Sequence, residues 1–188
     1  MKLVLATQNP KKLKEMNEIL RHLGVEVVSE AELGVRIEVE ETGETFTDNA
    51  RLKATAVMQA TGLPAVADDS GLCVDALNGG PGVYSARFGG EGLDDKGRYT
   101  LLLEMLRGQT DRAAHFHTSI VCAFPNGDEL VCEGECPGTI AFAPMGEGGF
   151  GYDPVFFVPE LRKTFGQLTA EEKASVSHRG KALRAFAA

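Results

Sequence analysis

Short apolar runs take turns with longer stretches of helical periodicity along the first third of the chain, and this alternation constrains the fold more than any other feature. Residues 2–6 read as a buried strand and run into Thr7-Gln8-Asn9-Pro10. Leu13, Met16, Ile19, Leu20 and Leu23 then recur at the spacing of one helix face, with Gly24 as a C-terminal stop. Residues 25–29 predict a second strand, residues 36–40 a third, and residues 45–61 a second helix closed by Gly62. Ala65-Val66-Ala67 leads into Asp68-Asp69-Ser70-Gly71, a tetrapeptide with turn chemistry at a strand end. Residues 98–106 read as a leucine-heavy helix, and residues 115–124 and 129–136 flank the hairpin signal Asn126-Gly127. Residues 155–158 predict a short strand, Thr169-x-x-Glu172 is a capping box, and Ser177 can cap a last helix. Helices interleaved with strands, followed by a hairpin, predict an α/β fold with a mixed sheet, and 188 residues fit one domain.

The net charge of −8 and a pI near 5.1 disfavour a nonspecific grip on DNA or RNA, which needs a basic surface. No nucleic-acid partner is expected. A nucleotide is still admissible, because a nucleoside triphosphate arrives with a divalent cation that carboxylates suit. The longest uncharged stretch, residues 54–67, contains Gln59 and Pro64 and falls short of the roughly 20 apolar residues of a membrane span. The opening MKLVLATQN turns polar too early for a signal peptide, and the cysteines show no paired spacing, so a reducing, cytoplasmic setting is expected. Much of the glycine lies between Gly79 and Gly97 and between Gly134 and Gly151, which implies tight turns or close approach of backbone to a ligand.

Five segments can carry chemistry. Residues 7–12 join a strand to a helix N-terminus, where unpaired N–H groups form an anion site; Thr7 and Asn9 add donors, and Lys11 and Lys12 add charge. Without the P-loop glycines, this segment also reads as an ordinary strand-to-helix turn. Asp68 and Asp69 can hold Mg²⁺ or take a proton from water, and Glu40-Glu41 can supply a second carboxylate. Phe150, flanked by glycines and followed by Tyr152 and Asp153, can stack on a purine. His178 and Arg179 can meet a base edge or an anion. Zinc is a poor fit. A two-residue Asn126-Gly127 turn sets His117 opposite Cys136 and Val121 opposite Cys132, but the two cysteines are then roughly 13 Å apart along one strand. Zn–S bonds of about 2.3 Å cannot bridge that gap.

The order of the motifs is more specific than any one of them. T-x-N-x-x-K at Thr7, Asn9 and Lys12 precedes EETGETFTDNARLKA at 40–54 and ADDSGLCVDALNGGPGVYSARF at 67–88. GGFGYDPVF at 148–156, EEK at 171–173 and SHR at 177–179 follow. Over essentially its whole length the chain resembles the XTP/dITP diphosphatase family, the inosine triphosphate pyrophosphatase-like house-cleaning enzymes. Gln8 and Lys11 stand where that family often has glycine or asparagine, and the last helix stops early, soon after Arg184.

The resemblance implies an elongated mixed β-sheet flanked by helices, two lobes around a substrate cleft, a homodimer, and Mg²⁺ as cofactor. By position, Thr7, Gln8, Asn9, Lys11 and Lys12 would cradle phosphates, with Lys53 assisting. Glu40 and Asp69 would hold Mg²⁺, Asp69 would also activate water, and Ser70 would contact substrate. Phe150 would stack on the purine, with Gly151, Tyr152 and Asp153 lining the pocket. Lys173 would reach phosphate or base edge, and His178 and Arg179 would read the base. The implied reaction is hydrolysis of ITP, dITP or XTP to the monophosphate and pyrophosphate. A Maf-like pyrophosphatase of modified pyrimidine nucleotides and a non-catalytic nucleotide-binding regulator are the alternatives.

Overall fold

The structure is a computed structural model that describes residues 2–188. The chain opens with β1 (Lys2–Leu5), α1 (Pro10–His22) and β2 (Glu26–Ser29). Asn9 caps α1, and Pro10 supplies a preset φ at its first position. Gly62, at φ +68°, closes α2 (Phe46–Thr61), whose N-cap is Thr45. β3 (Ala65–Val74), β4 (Gly80–Pro81) and α3 (Asp95–Met105) follow, then the long strands β5 (Ala113–Ala123) and β6 (Glu129–Ile140). Two short strands, β7 (Phe156–Val158) and β8 (Lys163–Thr164), precede α4 (Ala170–Val176) and α5 (His178–Ala187).

The strands make one eight-stranded sheet in the order β2-β1-β3-β5-β6-β7-β8, with β4 paired to β3. β1 is parallel to both β2 and β3, whereas β6, β7 and β8 pair antiparallel. This is the mixed α/β sheet flanked by helices that the sequence predicts.

Contacts group the chain into two compact units, and the backbone passes between them within β3, β5 and β6 and again before α5. Of the described residues, the first comprises those up to 69, with 118–134 and 178–188. Part of its core is small: Val4, Ala6, Ala50, Ala54, Val57, Ala65, Ala67, Val121 and Ala123 are all buried. The second comprises residues 70–117 and 135–177, with a core that includes Leu72, Leu102, Phe116, Ile140, Tyr152, Phe156 and Phe165. The rings of Phe116 and Phe165 stack at 5.5 Å, and Phe156 meets both edge-on.

Three local expectations are corrected. Residues 36–40 form no strand; alternation alone did not bring them to a sheet edge. Asp68-Asp69-Ser70-Gly71 is no turn, because β3 runs straight through it and Gly71 has no positive φ. The β5–β6 hairpin turns over residues 124–128, closed by Phe124 N–H donating to Asp128 O at 3.0 Å. Side-chain pairs therefore form between Ser119 and Glu133 and between His117 and Glu135, one residue off the expected register. A one-residue slip flips side chains to the other face, so Cys132 and Cys136 lie on the face away from His117.

Candidate active site

β3 carries two adjacent buried carboxylates, Asp68 and Asp69. Successive residues on a strand point to opposite faces, and Asp68 and Asp69 follow that rule, each with its own set of partners. The Asp68 carboxylate is 1% exposed. Its Oδ2 accepts from Arg179 Nη2 at 3.0 Å and from Nε at 3.2 Å, and Lys12 Nζ lies 3.3 Å away. Arg179 also donates from Nη1 to Glu15 Oε1 at 2.9 Å. Burial works against the guanidinium charge, but Asp68 and Glu15 outweigh it and hold its pKa above the usual value. Burial pushes the Lys12 ammonium below the ordinary lysine range, with Asp68 opposing the shift.

Asp69 has a different set of partners. Its Oδ2 accepts from Asn49 Nδ2 at 3.1 Å, and Lys53 Nζ stands 4.0 Å from Oδ1. Burial pushes its carboxyl pKa up to about 6, Glu41 adds to the rise, and Lys53, Lys12 and the Asn49 hydrogen bond offset part of it. A carboxylate with that affinity can change protonation state near neutral pH, as a general base must.

Asn49 orients more than one partner. It is fully buried, and while its Nδ2 holds Asp69, its Oδ1 accepts from Gly43 N at 2.7 Å. Glycine is required at 43 for space, since a Cβ there would stand 2.7 Å from Asn49 Oδ1 and 2.6 Å from Asp48 Cβ. The loop after Glu40-Glu41 is thus tied to the same amide as Asp69. Lys53 bridges these parts, with Nζ 3.2 Å from Glu41 Oε1 and donating to Asp68 O at 2.7 Å. Glu40 itself is exposed and lines a groove along α2 with Thr42, Asp48 and Arg51, so Glu41 is the loop carboxylate whose charge reaches Asp69.

The helix N-terminus at residues 7–12 differs in detail from the expectation. Asn9 Oδ1 accepts from the backbone N–H of Lys11 at 3.0 Å and Lys12 at 3.3 Å, while Thr7 Oγ1 accepts from Asn9 N. Gln8 Nε2 donates to Ile37 O at 2.7 Å. The cap satisfies these amides internally, so the electrostatic weight of the segment falls on Lys12. Lys11 is exposed. His178 is buried at the head of α5, one residue before Arg179.

The second unit orders the aromatic segment. Asp153 is 4% exposed; its Oδ2 accepts from Phe150 N at 3.1 Å and from Lys173 Nζ at 2.8 Å. Any Cβ on Gly149 would strike that carboxylate. Lys173 Nζ also sits 4.7 Å from the centre of the Phe150 ring, a cation–π contact. The Tyr152 hydroxyl donates to Ser85 O at 2.6 Å, so this ring is a structural anchor, and burial raises its pKa. Ser70 is half-buried within β3.

A profile of the Ham1 family matches residues 3–188. The chain belongs to the Ham1 family. A dITP/XTP pyrophosphatase of Desulforamulus reducens is 54% identical over 186 residues, covering 98% of this chain and 92% of that protein. The dITP/XTP pyrophosphatase of Thermus thermophilus is 54% identical over 188 residues, covering 99% and 90% respectively. The structure of a HAM1 protein from Coxiella burnetii superposes with a TM-score of 0.90 at 44% identity, covering 100% of this chain and 96% of that one.

Within this Ham1 chain the contacts give Arg179 partners inside the protein and add two residues to those expected. Arg179, expected at the base, donates from Nε and Nη2 to Asp68 and from Nη1 to Glu15, so it also holds Asp68. Glu15 was not anticipated; it is one of many charges on α1, and no local signal marks it. Asn49 lies in the TFTDNARLKA run that carried the resemblance, but only the fold shows its amide against Asp69.

Proposed function

We propose that this chain hydrolyses the deaminated purine nucleoside triphosphates ITP, dITP and XTP to the monophosphate and pyrophosphate, clearing them from the nucleotide pool. The observation that carries the reading is Asp69: a buried carboxylate with its pKa raised to about 6 and its orientation set by Asn49. It sits in a chain 54% identical to proteins named dITP/XTP pyrophosphatase.

Asp69 accepts the proton of the attacking water. Asn49 holds one of its oxygens, which fixes the direction of the other. Lys12 and Lys53 meet the negative charge that develops on the polyphosphate. Arg179 holds Asp68 in place, so that Lys12 stands against a defined carboxylate. Phe150 offers its ring to the purine, and Lys173, seated on Asp153 beside that ring, offers donors suited to an acceptor oxygen on the base.

Among the described residues, no three His, Cys, Asp or Glu side chains gather as a metal centre. The donor set nevertheless fits Mg²⁺, which needs only one or two protein carboxylates and keeps several waters. Burial disfavours the charge of Asp69, Glu41 adds like charge, and Lys53, Lys12 and Asn49 together offset the two only in part. Asp69 and a carboxylate of the Glu40-Glu41 pair would hold the ion. The chemistry supplied there would be charge neutralisation at the phosphates and Lewis-acid activation of water. A homodimer in the cytoplasm is part of the same reading.

The test is incubation with ITP and Mg²⁺ and identification of the product. Pyrophosphate with IMP is the expected result; stepwise orthophosphate, or turnover of UTP and dTTP in preference to ITP, overturns the proposal.

A further inference from the structure

The aromatic segment of the second unit is held from a side that no motif marks. Gly151 N–H donates to Asp95 Oδ2 at 2.9 Å, across 56 residues of chain. Asp95 is the first residue of α3, and Asp94 caps that helix by accepting from Gly97 N at 2.7 Å. Leu102 of α3 and the following Leu106 are fully buried in the core that also takes Tyr152. The carboxylate is therefore mounted on an anchored helix. Asp95 is exposed and enters no ion pair among the described residues, and nearby Arg98 instead turns back to donate to Leu93 O.

Phe150 needs such a restraint. It lies between Gly149 at φ +70° and Gly151 at φ +60°, conformations that glycine reaches without strain but does not enforce. Its own N–H is held by Asp153, and Tyr152 is pinned through its hydroxyl to Ser85. The peptide unit between Phe150 and Gly151 is fixed by Asp95. An aromatic platform that is already ordered loses less conformational entropy when a ring stacks on it.

We propose that Asp95 is a positioning residue that holds the Phe150 platform ready for the purine, setting substrate affinity without touching substrate. The inference rests on the reading of Phe150 as the base-stacking residue. What the site requires of Asp95 is an acceptor oxygen, not a negative charge, and this separates the role from helix-end electrostatics. Loss of charge at the start of α3 is common to Asp95→Ala and Asp95→Asn, whereas only the alanine variant lacks the acceptor.

The experiment compares both variants with wild type in steady-state ITP hydrolysis with Mg²⁺. One hydrogen bond corresponds to about 0.5–1.5 kcal/mol, so Asp95→Ala should raise KM for ITP by about 2- to 12-fold, with the loss falling in KM more than in kcat. Asp95→Asn should return KM to near wild type. Inhibition by inorganic tripolyphosphate, which has no base, should be equal in all three proteins. Equal KM increases in both variants, or a matching loss of tripolyphosphate affinity, overturns the proposal. Hydrogen exchange at the Gly151 amide provides an arm independent of turnover. Protection should persist in Asp95→Asn and fall in Asp95→Ala, and equal exchange in all three proteins overturns the tether. Failure of wild type to hydrolyse ITP overturns the functional reading instead, and the exchange result still decides whether Asp95 holds the segment.

Discussion

Asp68 and Asp69 are neighbours in β3, yet Asp68 pairs with Arg179 of α5 and Lys12 of α1, while Asp69 accepts from Asn49 of α2. The pleat separates the two carboxylates, and the helices give them opposite electrostatic fates. Asp68 is ion-paired on two sides and held as a fixed anion. Asp69 is compensated only in part, and burial lifts its pKa toward neutrality.

Asp69→Asn keeps the shape of the side chain and removes the proton acceptor. General-base catalysis alone accounts for about 10²–10⁴-fold, so kcat for ITP should fall at least that far while circular dichroism and Tm show a folded protein. A variant within tenfold of wild type would return Asp69 to a structural role.

The same carboxylate sets the pH dependence. With a pKa of about 6, Asp69 is ionised above that pH and protonated below it, so the acid limb of kcat/KM should have its midpoint near 6 at limiting metal. A cation on Asp69 favours the ionised form, so raising Mg²⁺ should move the limb to lower pH. A limb that stays in place across Mg²⁺ concentrations separates Asp69 from the metal.

Arg179→Ala removes a guanidinium from a buried carboxylate that Lys12 also faces. Breaking a buried ion pair costs about 3–5 kcal/mol, a loss that denaturant unfolding would register. Because Arg179 holds Asp68, kcat/KM should fall for ITP, XTP, ATP and GTP by a similar factor. Lysine should rescue poorly, since it cannot fork across Nε and Nη2. A collapse of the ITP:ATP ratio alone would restore Arg179 to the base.

Phe150→Ala removes the stacking surface. Base–aromatic stacking is worth about 1–3 kcal/mol, which corresponds to roughly 5- to 150-fold in KM for ITP. Inhibition by tripolyphosphate should change little, and comparison of the two constants by steady-state kinetics separates base from phosphate binding.

Excess EDTA should abolish pyrophosphate release from ITP, and Mg²⁺ should restore it. Full turnover without divalent cation would overturn Asp69 and the Glu40-Glu41 pair as ligands.

The sequence by itself determined what short-range physics encodes. Thr169 with Glu172 marked a helix start because capping is decided within four residues, and Gly62 marked a helix end because its αL conformation is local. Motif order was enough to indicate the family. Only the tertiary structure decided what the site residues face. β3 could continue through Asp68-Asp69 because cations from α1, α2 and α5 compensate two carboxylates that an isolated segment would turn out to water. The hairpin register followed from a turn one residue longer in effect than Asn126-Gly127 suggests. The Arg179 contacts to Asp68 and Glu15 were not legible because those partners lie 111 and 164 residues away in sequence. Separations of that length leave no periodicity to read; a charge pair across them exists only once packing brings the strand and both helices together.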